Sequence, residues 1–351
     1  MAEYRPGESL EAFSRRTSIP IEQVIKLNSN ESPYQPAPEV LKALGNYCNY
    51  NNYPDTDSVA LRQALSSYTG VESRFIAVHH GSMELINVLW HLFLSVGDNI
   101  IGCPPTYSLY TTIATFCGAY VLEVPRTEDF EIDVEAILAT LTPETKIVVL
   151  CSPNNPTGNP VREEDVLALL DTGRIVVVDE AYVEFSHRPG GLAHLVPRYD
   201  NLVVMRTFSK WAGLAGLRIG YAIVPEWLLS YVRCAQCPFE VNVAGHIAAI
   251  TTLKHIDYTM DKVQRIVKER ERLFDLLALC PYLEPHPSQG NYILTRVCEE
   301  EVRMEQVRAA VEAHGILLRY FHHPYLHSFM RVTVGRPEHT DKMRYALMNI
   351  I

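Results

Sequence analysis

KIVVL at residues 146–150, followed at once by CSPNNPTG at 151–158, decides the fold. After the lysine the run has no polar alternation. It predicts a strand buried on both faces, as strands of a mainly parallel, helix-covered sheet are. The pattern returns as RIVVV at 174–178 and LVVMR at 202–206, and less strongly as RIGYAI at 218–223 and at 99–102. Helical patterns separate these runs, so the expected class is α/β with a large, mainly parallel sheet.

Three of the runs end in polar residues. KIVVL leads into Ser152, Asn154, Asn155 and Thr157; RIVVV into Asp179, Glu180 and Tyr182; LVVMR into Thr207, Ser209 and Lys210. Ligands of open α/β sheets bind beyond the carboxyl ends of the strands, so the three segments are expected to meet at one pocket. Each has an ordinary explanation alone. Pro-Asn-Asn-Pro-Thr-Gly is good turn chemistry, an aspartate after a strand caps helices, and a single lysine is usually solvated. Their joint order is harder to explain that way.

Outward from this centre, the 351 residues suffice for about two domains. The expected division is an extended arm over 1–40, which carries five prolines, a large domain over 41–245 and a smaller α+β domain over 246–351. In the last, a helical pattern fills 246–279, and strands are read at 291–294, 316–319 and 329–334 around a helix at 304–313. A content of 47% apolar and 21% charged residues excludes a mainly disordered, collagen-like or disulfide-stapled chain. The net charge of −10 argues against a general nucleic-acid or membrane-surface binder, while leaving room for a local basic pocket.

The opening MAEYRPGESLEAFSRR lacks a basic n-region and an apolar h-region, so no signal peptide is expected. The apolar stretch 88–96 is interrupted by His91 and too short for a membrane span. Eight scattered cysteines suggest a reducing compartment, the cytoplasm, with most of them serving as small core residues. Cys234 and Cys237 form a CxxC without a second pair, read as structural. His322, His323 and His327 are interrupted by Pro324, and no metal is expected there. His79 and His80 read as packing or solvated residues, and the run 268–272 (KERER) as the wet face of a helix. Gly213, Gly216 and Gly220 do not make a dinucleotide fingerprint.

SPNNPTG, DEAY (179–182) and TFSKWAGLAGLRIGY (207–221) resemble the fold-type-I pyridoxal-phosphate aminotransferases. YRPG (4–7), KLNSNESP (26–33), NYPD (52–55), PPTY (104–107), LRYF (318–321) and MRVTVG (330–335) narrow the resemblance to the histidinol-phosphate aminotransferase family, over residues 4 to about 345. That likeness implies a homodimeric enzyme using pyridoxal 5′-phosphate (PLP). It would exchange nitrogen between histidinol phosphate and 2-oxoglutarate, giving imidazole-acetol phosphate and glutamate, in ping-pong order.

The resemblance also assigns roles. Lys210 would hold the cofactor aldehyde and move the substrate proton. Asp179 would face the pyridine nitrogen and keep the ring protonated. Tyr182 and Asn155 would bond its phenolic oxygen, and Tyr107 would stack on its face. Arg218, Thr207, Ser209 and the amides of Ser82 and Met83 would hold its phosphate. Relatives often carry an acid where Met83 stands, so no side-chain cap is expected there. Tyr53 would reach the phosphate in the neighbouring subunit. Arg331 and Arg319 would bind the substrate anion, and Tyr4 would close over it. Asn30 and Glu31 would line the site without assigned chemistry.

Three rivals share the scaffold: an aromatic amino-acid aminotransferase, a threonine-phosphate decarboxylase and a non-catalytic regulator. The chain shows no room or basic segment for a regulator's DNA-binding domain. A nicotinamide dehydrogenase is opposed by the missing fingerprint.

Overall fold

The strand Thr145–Cys151 distributes its side chains to two cores, Val148 and Leu150 on one face of the sheet and Ile147 and Val149 on the other. Neighbouring strands repeat the division, with Val176 and Val178 opposed to Val177, and Val204 opposed to Val203 and Met205. Burial on both faces is the physical reason for the unalternating sequence. The computed structural model describes residues 7–298, 302–321, 323–348 and 350. The expectations for Tyr4 and His322 fall outside the described residues.

Seven strands form the large sheet in the order Ile76–His79, Gly220–Ile223, Leu202–Thr207, Ile175–Asp179, Thr145–Cys151, Asn99–Gly102 and Tyr120–Glu123. Gly220–Ile223 runs antiparallel to both its neighbours, and the other pairings are parallel. A second, antiparallel sheet orders Arg319–Tyr320, Phe329–Thr333, Tyr292–Val297 and Leu283–Pro285. Ile25–Lys26 and Ile316–Leu317 make a separate parallel pair. Among the described residues no helix is long and apolar enough to cross a membrane.

Several expectations need correction. The arm is not simply extended. Ser9 caps a helix over Leu10–Thr17, its hydroxyl accepting from the Ala12 amide at 3.1 Å, and Phe13 is buried. The expected strand at 316–319 is two strands in two different sheets, parting at Leu318. The helical stretch 246–279 is two helices, Val243–Lys254 and Ile256–Ala278, which meet at His255. The first of them spans the expected domain boundary at 245/246 and packs on the helices Pro38–Asn46 and Val59–Thr69.

The KERER run is not uniformly wet, since Glu269 and Arg270 are buried. The Arg270 guanidinium donates to the carbonyls of Phe185 and Gly290 at 3.1 and 3.0 Å, an anchoring role that charge content alone conceals. Only Cys103, Cys151 and Cys280 are buried, whereas Cys48, Cys234 and Cys237 are exposed.

Candidate active site

The parallel ladder pairs Cys151 with Asp179 and Asp179 with Met205, so the ends of three central strands stand side by side. Asp179 is buried. Its Oδ2 accepts from the Tyr110 hydroxyl at 2.7 Å, and its Oδ1 from the Ala181 amide at 3.1 Å. Burial raises its carboxyl from 3.8 to about 6, against the opposing pull of those hydrogen bonds and of Lys210. Tyr110 was not anticipated as a site residue. It lies three residues beyond Tyr107, in the first turn of the helix Leu109–Phe116, and no local signal in the sequence distinguishes it from a core tyrosine.

Lys210 follows the Leu202–Thr207 strand. Its Nζ donates to the Ser29 carbonyl at 3.0 Å and stands 5.8 Å from the centre of the Tyr182 ring. Burial, helped by the positive charges of Arg331 and Arg218, lowers its amine from 10.5 to about 8. The Tyr182 hydroxyl accepts from Asn30 Nδ2 at 3.1 Å, and its ring packs edge-on against Tyr292 with centroids 5.0 Å apart. Burial pushes this phenol upward. The segment 28–30 thus forms one wall of the site.

A cationic cup lies at the same carboxyl end of the Leu202–Thr207 strand. Thr207 donates to Ser209 Oγ at 2.9 Å, and Arg218 Nη1 lies 3.5 Å from the same oxygen. The expected strand at 218–223 begins only at Gly220. Arg218 itself adopts a left-handed conformation, φ 56°, after the turn Ala215–Leu217. Its guanidinium comes so close to Gly81 that a Cβ there would sit 2.6 Å from Nη2. Gly81, φ 81°, opens the helix Ser82–Phe93, whose first amides therefore lie beside the arginine. A Cβ on Gly220 would collide with the Ser82 nitrogen, so the approach of the two strands to this helix requires glycine there too.

Arg331, on the strand Phe329–Thr333, donates through Nη1 to Asn155 Oδ1 at 2.5 Å and through Nη2 to the Asn28 carbonyl at 2.7 Å. Arg319 is its direct partner on the neighbouring strand. Two positive charges thus stand opposite each other across the two strands. Tyr107 packs edge-on against Tyr110 at 5.5 Å. Met83 is partly exposed, while Tyr53 is 80% exposed and stacks on Phe239 at 4.3 Å, directed outward from the fold.

The site rests on a buried charged cluster. Glu180 accepts from Arg206 Nη2 at 2.7 Å, tying the residue after Asp179 to the residue before Thr207. Beside them, burial raises Glu184 from 4.5 to about 8 despite the nearby Arg206 cation. Its Oε1 accepts from Tyr68 at 3.3 Å. A carboxyl with a raised folded-state value contributes stability that is complete below its unfolded value and lost as pH rises through the folded one. Between pH 7 and 9 that loss is on the order of 1 kcal/mol, worth a degree or two. Thermal unfolding should show a drop in Tm over this interval that is smaller in Glu184→Gln protein; equal drops would contradict the assignment.

Residues 22–350 match the model of the aminotransferase class I and II family. The histidinol-phosphate aminotransferase of Roseiflexus castenholzii is 41% identical over 99% of this chain and 95% of its own. A chloroplastic histidinol-phosphate aminotransferase of Arabidopsis thaliana is also 41% identical, over 99% and 83% of the two chains. The solved histidinol-phosphate aminotransferase from Sinorhizobium meliloti, in complex with pyridoxal-5′-phosphate, superposes with a TM-score of 0.89 at 26% identity, covering 99% of this chain and 95% of that one. The fold is that of the fold-type-I PLP-dependent transferases, and the molecule is an aminotransferase of that class. Within the class, the chain belongs to the histidinol-phosphate aminotransferase family.

Proposed function

We infer that this chain exchanges an amino group between L-histidinol phosphate and 2-oxoglutarate, giving imidazole-acetol phosphate and L-glutamate in histidine biosynthesis. The full-length likeness to relatives that carry that name supports this reading most directly. The donor set also fits PLP: an amine at Lys210, a buried carboxylate at Asp179, a buried phenol at Tyr182, and an anion cup with Arg218, two hydroxyls and helix amides. When bound, PLP supplies an electron sink at the substrate Cα.

The protein's own groups do the rest. With its amine lowered to about 8, Lys210 is neutral in about one molecule in ten at pH 7 and can accept the Cα proton. Asp179 holds a positive ring nitrogen by charge, Tyr182 and Asn155 orient the phenolic oxygen, and Tyr107 covers the ring. Arg218, Thr207, Ser209 and the amides of Ser82 and Met83 bind the cofactor phosphate. Arg331 and Arg319 bind the phosphate of one substrate and a carboxylate of the other, because a planar guanidinium suits either anion. Tyr4 belongs to this proposal as the closing residue.

The outward Tyr53, braced on Phe239, supports a homodimer in which it reaches the neighbouring site. The pairing of Ile25–Lys26 with Ile316–Leu317 supports an arm over 1–40 tied to a small domain over 246–351, beside a large domain over 41–245. The eight cysteines, without a disulfide among the described residues, support a cytoplasmic setting.

An amino-donor panel with 2-oxoglutarate tests the substrate. Histidinol phosphate should exceed phenylalanine, tyrosine and threonine phosphate by at least about tenfold in kcat/KM, about 1.4 kcal/mol of transition-state binding. A tenfold preference for phenylalanine would overturn the assignment, and CO₂ release from threonine phosphate would replace it with decarboxylation.

A further inference from the structure

We propose that Asn30 is a positioning residue that sets the direction of the Tyr182 hydroxyl proton, and that Thr333 locks Asn30 in the orientation this requires. The inference rests on the cofactor reading above.

A phenol has one proton to donate and lone pairs that accept. Asn30 Nδ2, 3.1 Å from Tyr182 Oη, donates to that oxygen, so the phenol's own proton must point elsewhere. The amide orientation is fixed by its surroundings. The Thr333 hydroxyl accepts from the Asn30 backbone amide at 3.0 Å, which leaves its proton for Asn30 Oδ1 at 3.1 Å. Asn30 Oδ1 is thereby the acceptor, and its NH₂ faces the tyrosine. Two further contacts hold the segment. Asn291 Nδ2 donates to the Asn30 carbonyl at 3.1 Å, and Thr333 N donates to the Leu27 carbonyl at 3.0 Å.

Asn30 is 1% exposed and Thr333 2% exposed, so water does not substitute for either partner. Asn30 also holds φ 54°, a left-handed backbone that asparagine tolerates better than most residues. On the cofactor reading the remaining proton is the one offered to the cofactor oxygen, with Lys210 Nζ 5.8 Å from the centre of the same ring. A phenol donating there stabilises a negative oxygen on the bound cofactor, which lowers the pH at which the cofactor's visible band changes form. If the asparagine were reversed or missing, the phenol would be free to turn its proton away.

The test is a spectrophotometric pH titration of PLP-loaded protein without substrate. Asn30→Ala and Tyr182→Phe should each raise the midpoint, by about one unit for Tyr182→Phe and a substantial fraction of that for Asn30→Ala. The double variant should match Tyr182→Phe alone, because Asn30 acts only through the phenol. Thr333→Val should raise the midpoint in the same direction, and Thr333→Ser should restore it. Thermal unfolding of the cofactor-free variants, run alongside, separates a folding defect from a changed proton direction.

A Thr333→Val protein as stable as wild type with an unmoved midpoint would overturn the relay, as would additive shifts in the double variant. A wild-type protein showing no PLP band at all would overturn the cofactor reading itself, an outcome distinct from an unmoved midpoint.

Discussion

Lys210→Ala protein is expected to lose at least about four decades of turnover, since it forfeits both a covalent nucleophile and a general base. The amine is suited to both tasks by its surroundings. Burial and the positive Arg331 and Arg218 lower it to about 8, and the Ser29 carbonyl, 3.0 Å away, holds it near the Tyr182 ring. Lys210→Arg is the informative control. It keeps a cation in place but presents a guanidinium that does not deprotonate in proteins. It should therefore be as inactive as the alanine variant. Both should also lack the visible band of PLP-loaded wild type, and borohydride treatment should label residue 210 only in wild type. Turnover within about tenfold of wild type in either variant would remove Lys210 from the chemistry.

The legible part of the molecule is the part built from strands buried on both faces. Val148, Val177 and Val204 sit in runs without alternation, and the polar residues after those runs were correctly expected to share one end of one sheet. The edge strands Ile76–His79 and Tyr120–Glu123 were missed. They are four residues each, too short to build a periodic signal, and Tyr120 and Glu123 are exposed.

Arg218 shows a second limit. RIGYAI reads as one strand, yet the close approach of Gly81 needs the arginine in a left-handed turn, a constraint that only the neighbouring helix imposes. Arg270 shows a third: a charged run on a helix reads as wet until carbonyls from distant segments meet it. The wall formed by 28–30 depends likewise on Thr333 and Asn291, some 300 and 260 residues away. No local pattern encodes such contacts.

The second large effect is expected at Asp179. It is buried, its Oδ2 takes the Tyr110 hydroxyl at 2.7 Å, and burial lifts its carboxyl to about 6. An uncompensated charge in that position is unfavourable, and a positive ring nitrogen opposite it would relieve the cost while the carboxylate keeps that nitrogen protonated. Asp179→Asn preserves shape and can still accept from Tyr110, but it removes the charge. Leaving a buried charge unpaired costs about 3–5 kcal/mol, so kcat should fall by two to four decades. The phosphate cup is untouched, so the cofactor should still bind. Tyr110→Phe removes one hydrogen bond to the carboxylate but leaves its charge, and should cost kcat less than about tenfold. The contrast separates two accounts of the carboxylate. If charge does the work, Asp179→Asn is far worse than Tyr110→Phe; if orientation alone mattered, the isosteric amide would be nearly as active as wild type, and kcat within about tenfold would refute the charge argument.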